Sequence, residues 1–249
     1  MANNKTRLII AGFVLVTCIA LIAYANTHDS SKIVKEFSVE STGLMPGDGY
    51  RSLVSKALTD VQLQKADEIR NYILHQPYVQ ACEAAFTAPG KLLLRIQEKE
   101  IAGRVFASGK SYLLSTAGEM IELQEGTAAL DLPVFSGISY KDKVFSLEDR
   151  DRIAASLTIL AAFTRVDPAI SKDISEIVWL KSDQPALFLR DYASPFLVTV
   201  KSAAKQAVYL QALLNEKQAY QNMLASAAYV DMRYDKHIFI GNENNPGKE

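Results

Sequence analysis

The chain has 249 residues, 49% of them hydrophobic and 22% charged, with 12 glycines and 8 prolines; this excludes a disordered, collagen-like or low-complexity chain. Twenty-seven basic side chains against 28 acidic ones give no whole-chain field for nucleic acid or anionic lipid. Two cysteines and three histidines leave no room for a disulfide framework or a Cys/His zinc cage, while the length allows a sizeable core in one or two domains.

The apolar residues are unevenly spread. From Leu8 to Tyr24 the chain runs 17 residues without a charge. As a helix this covers about 25 Å, slightly short of a bilayer's hydrocarbon core. Lys5 and Arg7 precede it without an acid, so the positive-inside rule puts the N-terminus in the cytoplasm and the bulk outside. A retained anchor is one reading. A signal peptide cleaved at Ala23-Tyr24-Ala25 is the second, and a lipoprotein at Cys18, behind a poor lipobox residue, is the third. All three export the rest of the chain, where Cys82 has no thiol partner.

Residues 26–32 form a polar linker. A short strand is expected from Ile33 to Val39, then turn formers at 42–49, a helix over Tyr50–Leu58 and another from Gln64 to Leu74, with Ala66, Ile69 and Ile73 at helical spacing. Strands follow at Val79–Thr87 and Lys91–Glu100, the second alternating Leu92, Leu94, Ile96 with Leu93, Arg95, Gln97. This β-α-α-β-β order describes a small α+β module.

A second region opens near Gly109. Ser111–Leu114 and Met120–Leu123 form a hairpin around Thr116-Ala117-Gly118-Glu119. Ser146 is placed to cap a helix running to about Arg165, with Asp149 three residues on and Ile153, Leu157 and Leu160 buried; Pro168 is expected to end it. Strands are expected at Ile174–Leu180, Ala186–Asp191 and Phe196–Val200. A long helix spans Ser202–Ala225, buried along Val208, Leu213, Tyr220 and Leu224, and a hairpin of Tyr229–Tyr234 with Ile238–Ile240 closes the region.

Side chains that could carry chemistry are sparse. His28 lies in the linker, His75 at a helix end and His237 in a turn, each a solvated polar residue. Cys82, in an apolar strand pattern, is a small buried hydrophobe. Glu98 and Glu100 share a strand face and could mimic an acid/base pair, but with Arg95 and Lys99 beside them a solvated charged edge is the better account. No phosphate-cradling loop, nucleophile elbow or zinc motif occurs, and no cofactor is implied.

Three local runs resemble the cell-division family FtsQ/DivIB. Pro77-Tyr78-Val79, Ala84, Pro89, Leu92 to Ile96 and Glu98-Lys99 look like the P-W-V…P…L-x-I…E-R run of its POTRA module. Thr116-Ala117-Gly118-Glu119 with Leu132-Pro133-Val134-Phe135-Ser136-Gly137 is similar to its D-x-x-G-x…L-P-x-x-x-G, and Tyr229–Asp235 to its Y-V-D-L-R-Y strand. The resemblance implies an α+β fold: a cytoplasmic tail at 1–7, a transmembrane helix at 8–25, the linker, a POTRA-type module at 33–108, a mixed β-rich domain with two helices at 109–241 and a disordered tail at 242–249. It further implies a non-enzymatic scaffold in the inner membrane at the division septum. Its partners would be FtsB- and FtsL-like proteins and the septal peptidoglycan synthase complex, with no nucleic acid and no small-molecule substrate. The family's C-terminal strand meets FtsB, so Arg233 and Tyr234, with Lys236 and Ile238 as weaker candidates, are expected on the partner surface. The alternative for this hairpin is that it only closes the core, Asp231 and Arg233 forming an exposed pair. For the whole chain the alternatives are a POTRA-bearing transport or secretion component and a cell-wall enzyme released after cleavage.

Overall fold

The computed structural model describes residues 33–242 apart from 46, 108, 125, 126, 128, 142, 143, 182 and 183. The expected transmembrane helix at 8–25, the linker and His28 lie outside the described residues, as does the tail beyond Asn242. No helix among the described residues is long and apolar enough to cross a membrane. The chain divides into two compact units between Glu98 and Lys99, whereas the sequence places that boundary at 108/109.

The first unit runs β1 (Glu36–Ser41), α1 (Gly47–Thr59), α2 (Ala66–Leu74), β2 (Val79–Ala88) and β3 (Lys91–Glu98). Its three strands lie in the order β1-β3-β2, with β1 parallel and β2 antiparallel to β3. The first strand begins three residues later than expected, Ile33 making only an isolated bridge to Lys65. Helical spacing puts Tyr50, Val54 and Ala57 of α1 on one stripe and Ile69 and Ile73 of α2 on another. All five are fully buried, as are Leu92 and Leu94 on one parity of β3. Cys82 is buried and free, as its apolar surroundings predict, and burial pushes its thiol pKa up.

The second unit is built on a nine-stranded sheet in the order β14-β13-β12-β11-β10-β7-β4-β5-β6. Its strands are β4 (Ile101–Ala107), β5 (Lys110–Ser115), β6 (Met120–Glu122), β7 (Val134–Ser136), β10 (Ile174–Lys181), β11 (Gln184–Leu189), β12 (Phe196–Leu197), β13 (Ala227–Asp231) and β14 (Phe239–Asn242). A two-residue pair, β8 (Tyr140–Lys141) with β9 (Val144–Phe145), stands apart. Short β7 lies inside the sheet between β4 and β10, parallel to both, and its Phe135 is buried against Gly103, where any Cβ would collide with the ring.

Helix α3 (Leu147–Val166) starts as the sequence predicts: the Ser146 hydroxyl accepts from the Asp149 amide at 3.1 Å. Pro168 does not merely end that helix. It begins α4 (Pro168–Asp173), with Asp167 as N-cap accepting from the Ala169 amide at 2.8 Å, the position where proline's missing N–H costs nothing. The expected long helix is two, α5 (Ala203–Asn215) and α6 (Lys217–Ala225), preceded by a single turn at Val200–Ser202. Val208 is 49% exposed, so the buried stripe of α5 runs instead through Ala203, Ala207, Leu210 and Leu213.

Candidate partner-binding edge

The hairpin of β13 and β14 ends the nine-stranded sheet, and β14 is its outermost strand. The pairing is antiparallel, with Tyr229 opposite Gly241, Val230 opposite Ile240 and Asp231 opposite Phe239. On the other side of β13 the Val230 amide donates to Pro195 O at 2.9 Å and the Met232 amide to Leu197 O at 3.1 Å. Backbone amides alternate along a strand, so Tyr229 and Asp231 turn theirs to β14. They engage Gly241 and Phe239, which leaves the N–H and C=O of Ile240 facing outward from the sheet.

Side chains sort onto two faces. Tyr229, Asp231, Phe239 and Gly241 share one, and the Tyr229 ring lies over Gly241 where a Cβ would strike it. Tyr229, Phe239 and Tyr234 remain 43%, 51% and 56% exposed. Tyr234 meets Phe239 edge-on, ring centroids 4.9 Å apart, and the His237 ring stacks on Phe239 at 6.2 Å. The opposite face carries Val230, fully buried, and the half-buried Ile240. Here Ile238, Ile240 and Lys236 form one wall of a groove of about 370 Å³, and Tyr209, Leu213, Glu216 and Tyr220 of the helical layer form the other.

The four residues expected on the partner surface thus fall in one neighbourhood, with different surroundings. The strand stops at Asp231; Val230 and Met232 are buried, whereas Tyr234, beyond its end, is exposed. Asp231 and Arg233 are not an exposed pair. Asp231 is 5% exposed and accepts from the Arg233 amide at 3.0 Å and from Arg233 Nε and Nη2 at 2.9 and 2.7 Å. Burial works to raise the Asp231 pKa, but the Arg233 guanidinium and amide outweigh it and hold it below the ordinary carboxylate value. Lys236 has φ of 62°, the left-handed region, in a turn braced by the Lys205–Asp235 ion pair. Phe239, Tyr229 and the helical wall were missed by sequence reasoning; the alternation of Phe239 with Ile238 and Ile240 was the available signal.

Glu98 overturns its own expectation. It is 5% exposed rather than part of a solvated edge, and it accepts from the amides of Leu44 and Met45 and the Thr42 hydroxyl, all at 2.7 Å, and from the Tyr50 hydroxyl at 2.9 Å. Burial alone would raise its pKa; these four donors reverse the shift and lower it. Burial and the same carboxylate push Tyr50 well above the usual tyrosine value. Glu98 therefore fastens the turn before α1 to the end of β3. His75 closes α2 with its Nδ1 at 2.6 Å from Asn71 O, and His237 lies exposed in its turn.

A model of the cell division protein FtsQ/DivIB C-terminal domain matches residues 103–233, from within β4 to Arg233. No curated protein matches the chain. Among solved structures, it is similar to the major extracytoplasmic domain of the trans isomer of the bacterial cell division protein DivIB from Geobacillus stearothermophilus. The two are 21% identical over 50% of this chain and 96% of that one, with a TM-score of 0.33.

Proposed function

The chain belongs to the FtsQ/DivIB family of cell-division proteins, whose C-terminal domain model spans more than half of it, and from that premise we propose that it is a bitopic scaffold whose last strand is completed by a partner. The family is one of non-enzymatic division proteins with an extracytoplasmic domain. In our reading residues 8–25 stay as a single anchor in the inner membrane with the N-terminus in the cytoplasm. Residues 33–98 serve as the POTRA module, their β-α-α-β-β order supporting that assignment. The partners are an FtsB-like and an FtsL-like protein, through which the chain is linked to septal peptidoglycan synthesis.

The observation that carries this reading is the character of β14. Natural sheets protect their edges with charges, proline, bulges or shortness. The edge strand β6 has three residues, and β1 carries Glu36 and Glu40. On β2 the outer Cys82 carbonyl is taken by Arg70 Nε at 3.2 Å. The four residues of β14, Phe239, Ile240, Gly241 and Asn242, include no charge and no proline. Such an edge suits addition of a partner strand, which gains main-chain hydrogen bonds from it.

Ile240→Pro removes the outward donor and spares the amides of Phe239 and Gly241 that pair with β13. The expected result is loss of the FtsB-like partner from membrane pull-downs of the full chain, with its thermal unfolding still cooperative. Wild-type recovery of the partner would refute edge pairing. Mass spectrometry of the mature N-terminus tests the anchor: a chain that begins after Ala25 rules it out.

A further inference from the structure

We propose that a second groove, bounded by α3, α4 and the chain entering β7, docks an amphipathic helix of a partner protein that carries acids beyond one end of its apolar stripe. This goes beyond edge pairing, since no residue lining the groove belongs to β13 or β14. The groove has a volume of about 500 Å³. Helix α3 buries Ile153, Ser156, Ile159 and Phe163. A second stripe on it, Leu157, Leu160, Ala161 and Thr164, lies at i, i+3, i+4 and i+7 and lines the groove. Leu157 and Leu160 are half-buried, and Ala161 and Thr164 are exposed. Ile101, Leu132 and Pro133 line it from the start of β4 and the approach to β7. An added strand finds little here: the α3 backbone is paired within its helix, and Pro133 has no N–H. An occupant enters with side chains instead, and a stripe at helical spacing is matched by the ridge of another helix.

The charges of the groove decide what that helix carries. The Thr164 and Ser171 hydroxyls are hydrogen-bonded at 2.8 Å, and the residue after each is a cation, Arg165 and Lys172. The bond draws the C-terminal ends of α3 and α4 together, so both cations gather at one end of the groove. Both are exposed, and neither makes an ion pair among the described residues. Asp131, the acid among the lining residues, is already engaged: Arg190 Nη2 donates to it at 2.7 Å, while Arg190 Nε donates to the Lys172 carbonyl at 3.0 Å. Arg190 thus neutralises the acid and fixes the backbone that carries Lys172. Two unpaired cations beside an apolar wall favour an apolar helix with acids at that end and reject one with cations there.

The test places a benzophenone photo-crosslinker at Ala161 of the full chain in its own cells, and the cross-linked peptide is sequenced by mass spectrometry. The expected product is a segment of another protein with apolar residues at helical spacing and acids beyond one end. Arg165→Glu with Lys172→Glu is expected to lower the cross-linked fraction more than about tenfold, and acid-to-lysine changes in the partner segment restore it. Both cations stand in the last turn of their helices, where they offset the dipole, so thermal unfolding is followed in parallel. If the reversals unfold the chain, Arg165→Gln with Lys172→Gln must lower the fraction instead. A segment without acids, a lipid, a second copy of this chain or the absence of any cross-link overturns the inference, and so does a wild-type fraction in the folded variant. Ile240→Pro is expected to leave this cross-link in place, so the docking groove and the edge strand fail separately.

Discussion

Each unit of this chain buries one carboxylate near its C-terminal end, and the two are satisfied in opposite ways. Glu98, the last residue of β3, takes four neutral donors: two amides, a threonine hydroxyl and a tyrosine hydroxyl. Asp231, the last residue of β13, takes its donors from one cation, Arg233, whose side chain is itself 29% exposed. The first arrangement is closed. Among the described residues, every partner of Glu98 is internal to its unit, so the carboxylate fastens a turn. The second is half open. Asp231 orients an arginine at the rim of an edge strand, where a partner can compete for or add to its hydrogen bonds. A buried charge with neutral donors serves the fold, whereas one paired to a surface cation can serve fold and recognition together.

Removing each carboxylate's support should separate them. Glu98→Ala leaves two amides and two hydroxyls without their acceptor in a buried site, and is expected to cost roughly 3 kcal/mol or more, read by chemical denaturation of the full chain. Arg233→Ala leaves the buried Asp231 without its guanidinium, but at a rim that the partly exposed arginine had covered and where water can replace it. Its expected cost is smaller, about 1–2 kcal/mol, with weaker partner binding in addition. A stability loss for Arg233→Ala as large as that of Glu98→Ala would erase the distinction between a closed site and an open one.

Acid sharpens the same comparison. Both carboxylates have folded pKa values below their ordinary ones. A depressed folded pKa contributes stability that is fully present above the unfolded value, near 4 for these groups, and lost as pH falls through the folded value. The chain is thus expected to hold its stability from neutral pH down to about 4 and lose it below. Glu98→Gln should flatten that acid limb in denaturation curves taken between neutral pH and 3, while lowering stability at pH 7. An unchanged limb would mean that other groups carry it.

How much of this was legible in the residues depended on whether the signal was local. Ser146 with Asp149 announced a helix start, and the alternation of Leu92, Leu94 and Ile96 announced β3, because both are written within a few positions. Glu98 was misread although the signal was present: it falls on the same parity as those three buried residues. Its charge outweighed its parity, since the donors that satisfy it lie about 50 residues away at Thr42–Tyr50. Asp167-Pro168 likewise carried the start of α4, as a cap followed by proline at the first helical position, but read first as a stop. The break between α5 and α6 at Glu216 has no glycine or proline to mark it, and nothing in the structure explains why it falls there. Near the edge strand, the motif pointed to Arg233 and Tyr234 but not to Phe239, whose exposure follows from β14 being outermost, a property of the whole sheet.

The smallest effect on stability is the most informative for recognition. Tyr234 and Phe239 pack edge-on at 4.9 Å, yet both are more than half exposed, so little surface is removed from water between them. Tyr234→Ala and Phe239→Ala should each change stability by no more than about 0.5 kcal/mol, the range of ordinary surface substitutions. If this pair flanks the added strand, a partner buries both rings, and each truncation should cost binding about 1–2 kcal/mol, since exposed aromatics at an interface centre carry much of its energy. The two losses should also be less than additive, because either truncation frees the other ring to move. Binding losses that add fully would mean that the two rings act independently, whereas losses that vanish while Ile240→Pro still abolishes the complex would confine recognition to the strand's backbone and its groove face, and leave this aromatic pair as a brace for the turn that holds Lys236.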